Sequence, residues 1–132
     1  MLVEMIQRVS RPSLIAVVDD DLSVRESLES LLKSVGFLVD TYSSAEDFMS
    51  SPRITAASCL ILDVRLDGMS GPELQRNLIA ANHSVPIIFV TAHETEGLRA
   101  RVIADGAIDC LTKPFNDETL LAAVESAIRL RG

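Results

Sequence analysis

The sequence predicts a doubly wound α/β domain, strand and helix alternating as (βα)5 to give a parallel sheet with helices on both faces. Three observations predict it. Four short apolar runs, Leu14–Val18, Cys59–Leu62, Ile87–Val90 and Ile108–Leu111, read as strands buried on both sides. The stretches that follow them carry apolar residues at helical spacing. With 132 residues, 48% of them hydrophobic, the chain has enough material for one domain with its own core and too little polarity for disorder.

Each element has a local reason. After the first strand, Val24, Leu28, Leu31, Leu32 and Val35 define the inner face of a helix, and Gly36 ends it. Phe37 to Tyr42 alternates like a strand at the sheet edge. Ser44, three residues before Asp47, predicts the cap of a short second helix. Ser70 and Glu73 form a capping box around Pro72, and Leu74, Leu78 and Ile79 supply that helix's core face. The fourth helix is the weakest: Gly97 precedes Leu98, Val102 and Ile103, and glycine lowers helix propensity by ~1 kcal/mol. Such a helix is equally a moving part or an ordinary frayed end. The fifth helix follows Asn116 and buries Leu120, Leu121, Val124 and Ile128. Residues 1–12 are expected as an N-terminal extension and 13–132 as the folded domain, with no linker or second domain after the fifth helix. In the extension, Leu2, Met5, Ile6 and Val9 suit either a short amphipathic helix or a flexible arm, and Pro12 would end such a helix.

Charge and composition exclude several functions. With 12 basic and 19 acidic side chains the net charge is −7, which opposes direct binding to a nucleic-acid backbone. No apolar run reaches the ~20 residues of a membrane span, and Glu4 and Arg8 interrupt any signal-peptide pattern. A cytoplasmic location is the expectation. Cys59 and Cys110 fall in predicted strands; in a sheet ordered 2-1-3-4-5 one strand separates them, ~10 Å. That exceeds the ~7 Å reach of a disulfide, so both are expected as reduced, buried thiols.

The chemistry lies where the strands end. Asp19, Asp20 and Asp21 follow the first strand, Asp63 ends the third, Thr91 follows the fourth and Lys113 the fifth. In open parallel sheets ligands bind beyond the carboxyl ends of the strands, so these groups would converge. An aspartate run alone is equally a solvated loop. With Asp19 and Asp20 turned inward, hard carboxylate oxygens suit Mg²⁺, with Mn²⁺ as a substitute, and Asp21 is left to solvent or to cap the first helix. There is no Cys/His cluster for zinc. Asp63, ending the most hydrophobic strand, could attack phosphorus as a carboxylate nucleophile. Lys113 would neutralise the transferred group, and Thr91 could donate its hydroxyl to it. Lys113 precedes Pro114, making their bond a candidate cis peptide.

These segments resemble a response-regulator receiver domain. The resemblance rests on Val17-Val18-Asp19-Asp20, Leu62-Asp63-Val64-Arg65, Val90-Thr91-Ala92 and Lys113-Pro114-Phe115, with Met69-Ser70-Gly71 and Gly106-Ala107 in support. It spans about residues 13–130. The loop from Asp63 to Gly71, with His93 two places after Thr91, is most similar to the FixJ-type branch. The resemblance implies a flavodoxin-like receiver fold of order 2-1-3-4-5 and a signalling domain rather than an enzyme. It implies that Asp63 accepts phosphate from a sensor histidine kinase or phosphotransfer protein. Asp19, Asp20, Asp63 and the Arg65 backbone carbonyl would hold Mg²⁺, Lys113 would pair with the phosphoryl group, and Thr91 would move to bond it. The surface of the fourth helix, fifth strand and fifth helix would then change, controlling partner binding or a homodimer. Arg65 and His93 occupy positions that influence dephosphorylation. No direct contact with nucleic acid or membrane is implied for this chain.

Two residues depart from the family pattern. Cys110 stands where a switch aromatic is usual, three before the lysine, and Asp67 stands where this loop usually has proline. Cys110 keeps open a degenerate receiver acting as a phosphorylation-independent scaffold. A phosphohydrolase of the haloacid dehalogenase type would need an acid at position 65, where Arg65 stands. A flavin or nucleotide module would need a glycine- or hydroxyl-rich loop after the first strand, where three aspartates stand instead.

Overall fold

The computed structural model describes residues 12–131. The expected N-terminal extension, up to residue 11, lies outside the described residues. Five strands and five helices alternate: β1 (Leu14–Val18), α1 (Leu22–Ser34), β2 (Leu38–Tyr42), α2 (Ala45–Met49), β3 (Cys59–Asp63), α3 (Gly71–Ala80), β4 (Ile87–Thr91), α4 (Leu98–Ala104), β5 (Asp109–Thr112) and α5 (Asp117–Arg131). A short 3-10 turn, Ile54–Ala56, precedes β3. All strand pairs are parallel, in the order β2-β1-β3-β4-β5.

The continuous apolar runs of β1, β3 and β4 are buried along their whole length, because helices cover both faces. On one face Ile15, Val17, Ile61, Ile88 and Val90 pack against α1 through Leu28 and Leu32 and against α5 through Leu120 and Val124. On the other, Val18, Leu60, Leu62 and Phe89 pack against Phe48 of α2, Leu74 and Leu78 of α3, and Leu98 and Val102 of α4. β2 is an edge strand and only half-buried.

The caps form as the sequence predicts. Ser44 Oγ accepts from Asp47 N at 3.1 Å, and Ser70 Oγ from Glu73 N at 3.2 Å. Asn116 Oδ1 accepts from Thr119 N at 2.7 Å at the start of α5. Gly36 follows α1 with φ of 100°, the left-handed turn that stops a helix.

Three expected core residues are exposed. Val35 is 50% exposed, Ile79 55% and Ile103 38%. Val35 is the cap residue just beyond α1, while Ile79 and Ile103 follow the buried Leu78 and Val102 at the rims of their helices' apolar stripes. A step of about 100° along a helix is enough to carry a side chain from core to water. Cys59 and Cys110 are both free and buried, on β3 and β5 with β4 between them.

Candidate functional site

The carboxyl ends of β1, β3 and β5 bring the predicted charges together. Asp19 is 1% exposed, and each of its polar groups is engaged. Its N–H donates to Tyr42 O at 3.2 Å, and its carbonyl accepts from Arg25 Nη1 at 2.7 Å. Its Oδ1 accepts from Asp21 N at 2.9 Å, and its Oδ2 from Lys113 Nζ at 3.0 Å. Asp21 itself caps α1, accepting from Ser23 N at 2.8 Å. Asp20, where the chain leaves the sheet, is exposed to solvent. Even so, carboxylate oxygens of Asp19, Asp20 and Asp63 lie within 4.8 Å of one another.

Asp63 is the last residue of the central strand and 6% exposed. Its Oδ1 accepts from Arg65 N at 3.2 Å, and its Oδ2 lies 3.6 Å from Lys113 Nζ. Burial, then the charge of Asp19, pushes its pKa from 3.8 up to about 6; Lys113 and the Arg65 N–H oppose the shift. Burial works against the Lys113 charge, yet its bond to Asp19 and the nearby carboxylates outweigh that and raise its pKa. The Lys113–Pro114 bond is cis, as the sequence suggested. Three oxygen donors from carboxylates, with one ammonium shared between two of them, make a donor set that suits a hard divalent cation.

Thr91, fully buried, ends β4. Its Oγ1 donates to His93 O at 3.0 Å and accepts from His93 N at 3.2 Å, so the hydroxyl is satisfied within its own turn. Arg65 and His93 are exposed and line one recess together with Val64, the residue after Asp63. Cys110 is 4% exposed, opposite Phe89 in register, and its carbonyl accepts from Arg99 Nη1 at 2.6 Å. Burial, then the Glu94 charge, raises the Cys110 thiol pKa, and burial pushes Cys59 up to about 12. Both thiols are poor nucleophiles.

Three residues with structural consequences at the site escaped the sequence reading. Arg25 fixes the Asp19 carbonyl from α1. Glu46 Oε2, on α2, accepts from Met69 N at 3.0 Å and so holds the loop after Asp63. That carboxylate fills the space a Cβ on Gly68 would need, and Gly68 has φ of 77°. Gln75, 1% exposed on α3, donates from Nε2 to Val102 O of α4 at 3.0 Å, and its Oε1 has no partner. Only Gln75 left a trace in the sequence: it sits between Leu74 and Leu78, inside the apolar stripe.

A doubly wound sheet of this order, with acids and a lysine at its carboxyl edge, defines the class of open α/β proteins whose site lies at the strand ends. The particular family follows from comparison: the chain belongs to the response regulator receiver domains, whose family model matches residues 15–125. It is 42% identical over 120 residues to the response regulator protein TodT of Pseudomonas putida, covering 91% of this chain and 53% of TodT. It is 39% identical over 115 residues to the transcriptional regulatory protein FixJ of Bradyrhizobium diazoefficiens, covering 87% of this chain and 56% of FixJ. The solved structure of the response regulator StyR superposes with a TM-score of 0.85 at 43% identity, covering 92% of this chain and 61% of StyR. The chain spans about half the length of the curated relatives it matches. The protein is thus a receiver domain of two-component signalling. No helix among the described residues is long and apolar enough to cross a membrane.

Proposed function

We propose that Asp63 accepts a phosphoryl group from a sensor histidine kinase or phosphotransfer protein. The observation that carries this reading is the Lys113 ammonium lying 3.0 Å from Asp19 and 3.6 Å from Asp63, at the rim where three carboxylates meet. In the transfer, an Asp63 oxygen forms a bond to phosphorus as the donor's bond to phosphorus breaks. Lys113 neutralises the phosphoryl oxygens, and the Arg65 N–H fixes the second Asp63 oxygen. Asp19, Asp20, Asp63 and the Arg65 carbonyl would hold Mg²⁺ or Mn²⁺, which when bound supplies charge neutralisation for the anionic group.

Thr91 would exchange its bonds within the turn for one to the phosphoryl group, releasing the His93 backbone and shifting α4. The altered face of α4, β5 and α5 would control a partner or a homodimer. Cys110 offers no ring to turn inward, so α4 would carry the signal through its own backbone. Arg65 and His93 would govern how water reaches the phosphorylated acid. The domain comprises residues 13–132 in this reading and works in the cytoplasm. Control of transcription, as in the relative named a transcriptional regulatory protein, would act through residues or partners outside the matched region. A scaffold that works without phosphorylation gains nothing from the intact set of Asp19, Asp20, Asp63, Thr91 and Lys113, and the comparisons do not support it.

Incubation with a small phosphodonor and Mg²⁺, followed by intact-mass measurement, tests the acceptor. The wild type should gain one phosphoryl group and Asp63→Asn none. Equal labelling of both proteins would refute the assignment.

A further inference from the structure

The recess beside Asp63 has a composition at odds with the rest of the molecule. It measures about 380 Å³ and is lined by Arg65, Arg101, His93, Ser70 and Thr95 among its polar residues, with no carboxylate. The chain as a whole carries −7. Among the side chains the structure describes, Lys33, Arg53, Arg99 and Lys113 pair with acids, and Arg25 and Arg129 donate to neutral oxygens. Of the arginines whose side chains the structure describes, Arg65, Arg76 and Arg101 make no such bond, and two of these three line this recess. Arg101 folds back along α4 so that its Nη1 lies 3.3 Å from where a Cβ on Gly97 would stand. Gly97, lacking a Cβ, leaves room for that guanidinium.

We infer that this recess binds a small oxyanion, a phosphate or a carboxylate, independently of any divalent cation. Two guanidiniums, two hydroxyls and an imidazole can donate to such a group, and guanidinium forks match its geometry. The acid cluster beyond Asp63 repels a free anion, whereas the recess does not. An anion held there would stand against Val64 and His93, next to the phosphoacceptor, and would restrict what approaches it. Free inorganic phosphate and the carboxylate of a small metabolite share this chemistry.

The inference does not depend on phosphorylation of Asp63, and its test separates the two. The cation-free full chain is titrated with inorganic phosphate, and in a second arm with acetate, at constant ionic strength. Backbone amide shifts are followed by NMR. Saturable shifts are expected at Arg65, His93, Thr95 and Arg101. Arg101→Gln should weaken binding about tenfold, the loss of one charge-assisted contact. Arg76→Gln, which removes an unpaired arginine elsewhere, should leave it unchanged. Asp63→Asn should still bind, even though it accepts no phosphoryl group. Absence of saturation, equal weakening by Arg101→Gln and Arg76→Gln, or binding that requires Mg²⁺ would overturn the site.

Discussion

The rim formed by β1, β3 and Lys113 and the quarter formed by α4 and β5 are built differently. In the rim, Asp19 has every polar group engaged, and the segment after Asp63 is packed so tightly that a Cβ on Gly71 would collide with the Asp63 carbonyl. The α4 quarter has a helix of seven residues, an uncapped start at Gly97 and an exposed Ile103. Partly exposed polar ties hold it to β5: Arg99 to Asp109 at 2.9 Å, and Thr112 Oγ1 to Glu94 Oε2 at 3.1 Å. Its buried tie, Gln75 to Val102, leaves an amide oxygen orphaned. In the rim the backbone and Asp19 are pinned from several directions, whereas α4, beyond its buried Leu98 and Val102, is tied to β5 by polar contacts that water can replace.

The largest expected effect is at the rim and depends on pH. Asp63 has a folded pKa of about 6 against an ordinary 3.8, so it holds its proton more tightly when folded. Stability of the cation-free protein should therefore fall as pH rises from about 4 through about 6, then level off. Asp63→Asn removes that cost, worth up to about 3 kcal/mol at neutral pH and vanishing towards pH 4. Urea unfolding of both proteins across this range measures it. A constant difference at all pH values would show that the charge of Asp63 is not what costs stability.

Gly71→Ala comes next. The new methyl group meets backbone on one side and the Phe89 ring on the other, at 3.0 Å. A loss of about 2 kcal/mol is expected, and an unchanged urea midpoint would show the rim to be less rigid than its packing implies.

Substitutions in the α4 quarter should cost least. Gln75→Met removes the orphaned oxygen along with the tie and should change stability by less than about 1 kcal/mol. Arg99→Gln breaks a half-exposed pair and should also cost under about 1 kcal/mol. Both should nevertheless speed amide hydrogen exchange in α4 while leaving β1 and β3 unchanged. Uniform acceleration throughout the sheet would erase the distinction between the regions.

The same division explains what could be read from the sequence. The strands were legible because burial on both faces leaves an unbroken apolar run. The acids and the lysine were legible because their positions at strand ends follow from the strands themselves. Ile79 and Ile103 misled because helical period alone does not say where an apolar stripe stops. Arg25 and Glu46 were hidden for another reason: each bonds a backbone atom of a different element, and unlike the local bonds of a helix cap such a partner follows no fixed spacing in the sequence. Gln75 could have been found by asking why a polar residue interrupts Leu74 and Leu78. Cys110 was legible as a buried thiol, but not the Arg99 bond to its carbonyl.

Glu46 gives the absence of proline at position 67 a different meaning. The segment behind the acceptor is fastened from outside, by one carboxylate on a neighbouring helix, instead of being stiffened by its own ring. The Glu46 carboxylate also occupies the space beside Gly68, so the fastening and the glycine's lack of a side chain go together. The position of the stretch between Val64 and Ser70 therefore depends on a side chain of α2 as well as on its own backbone.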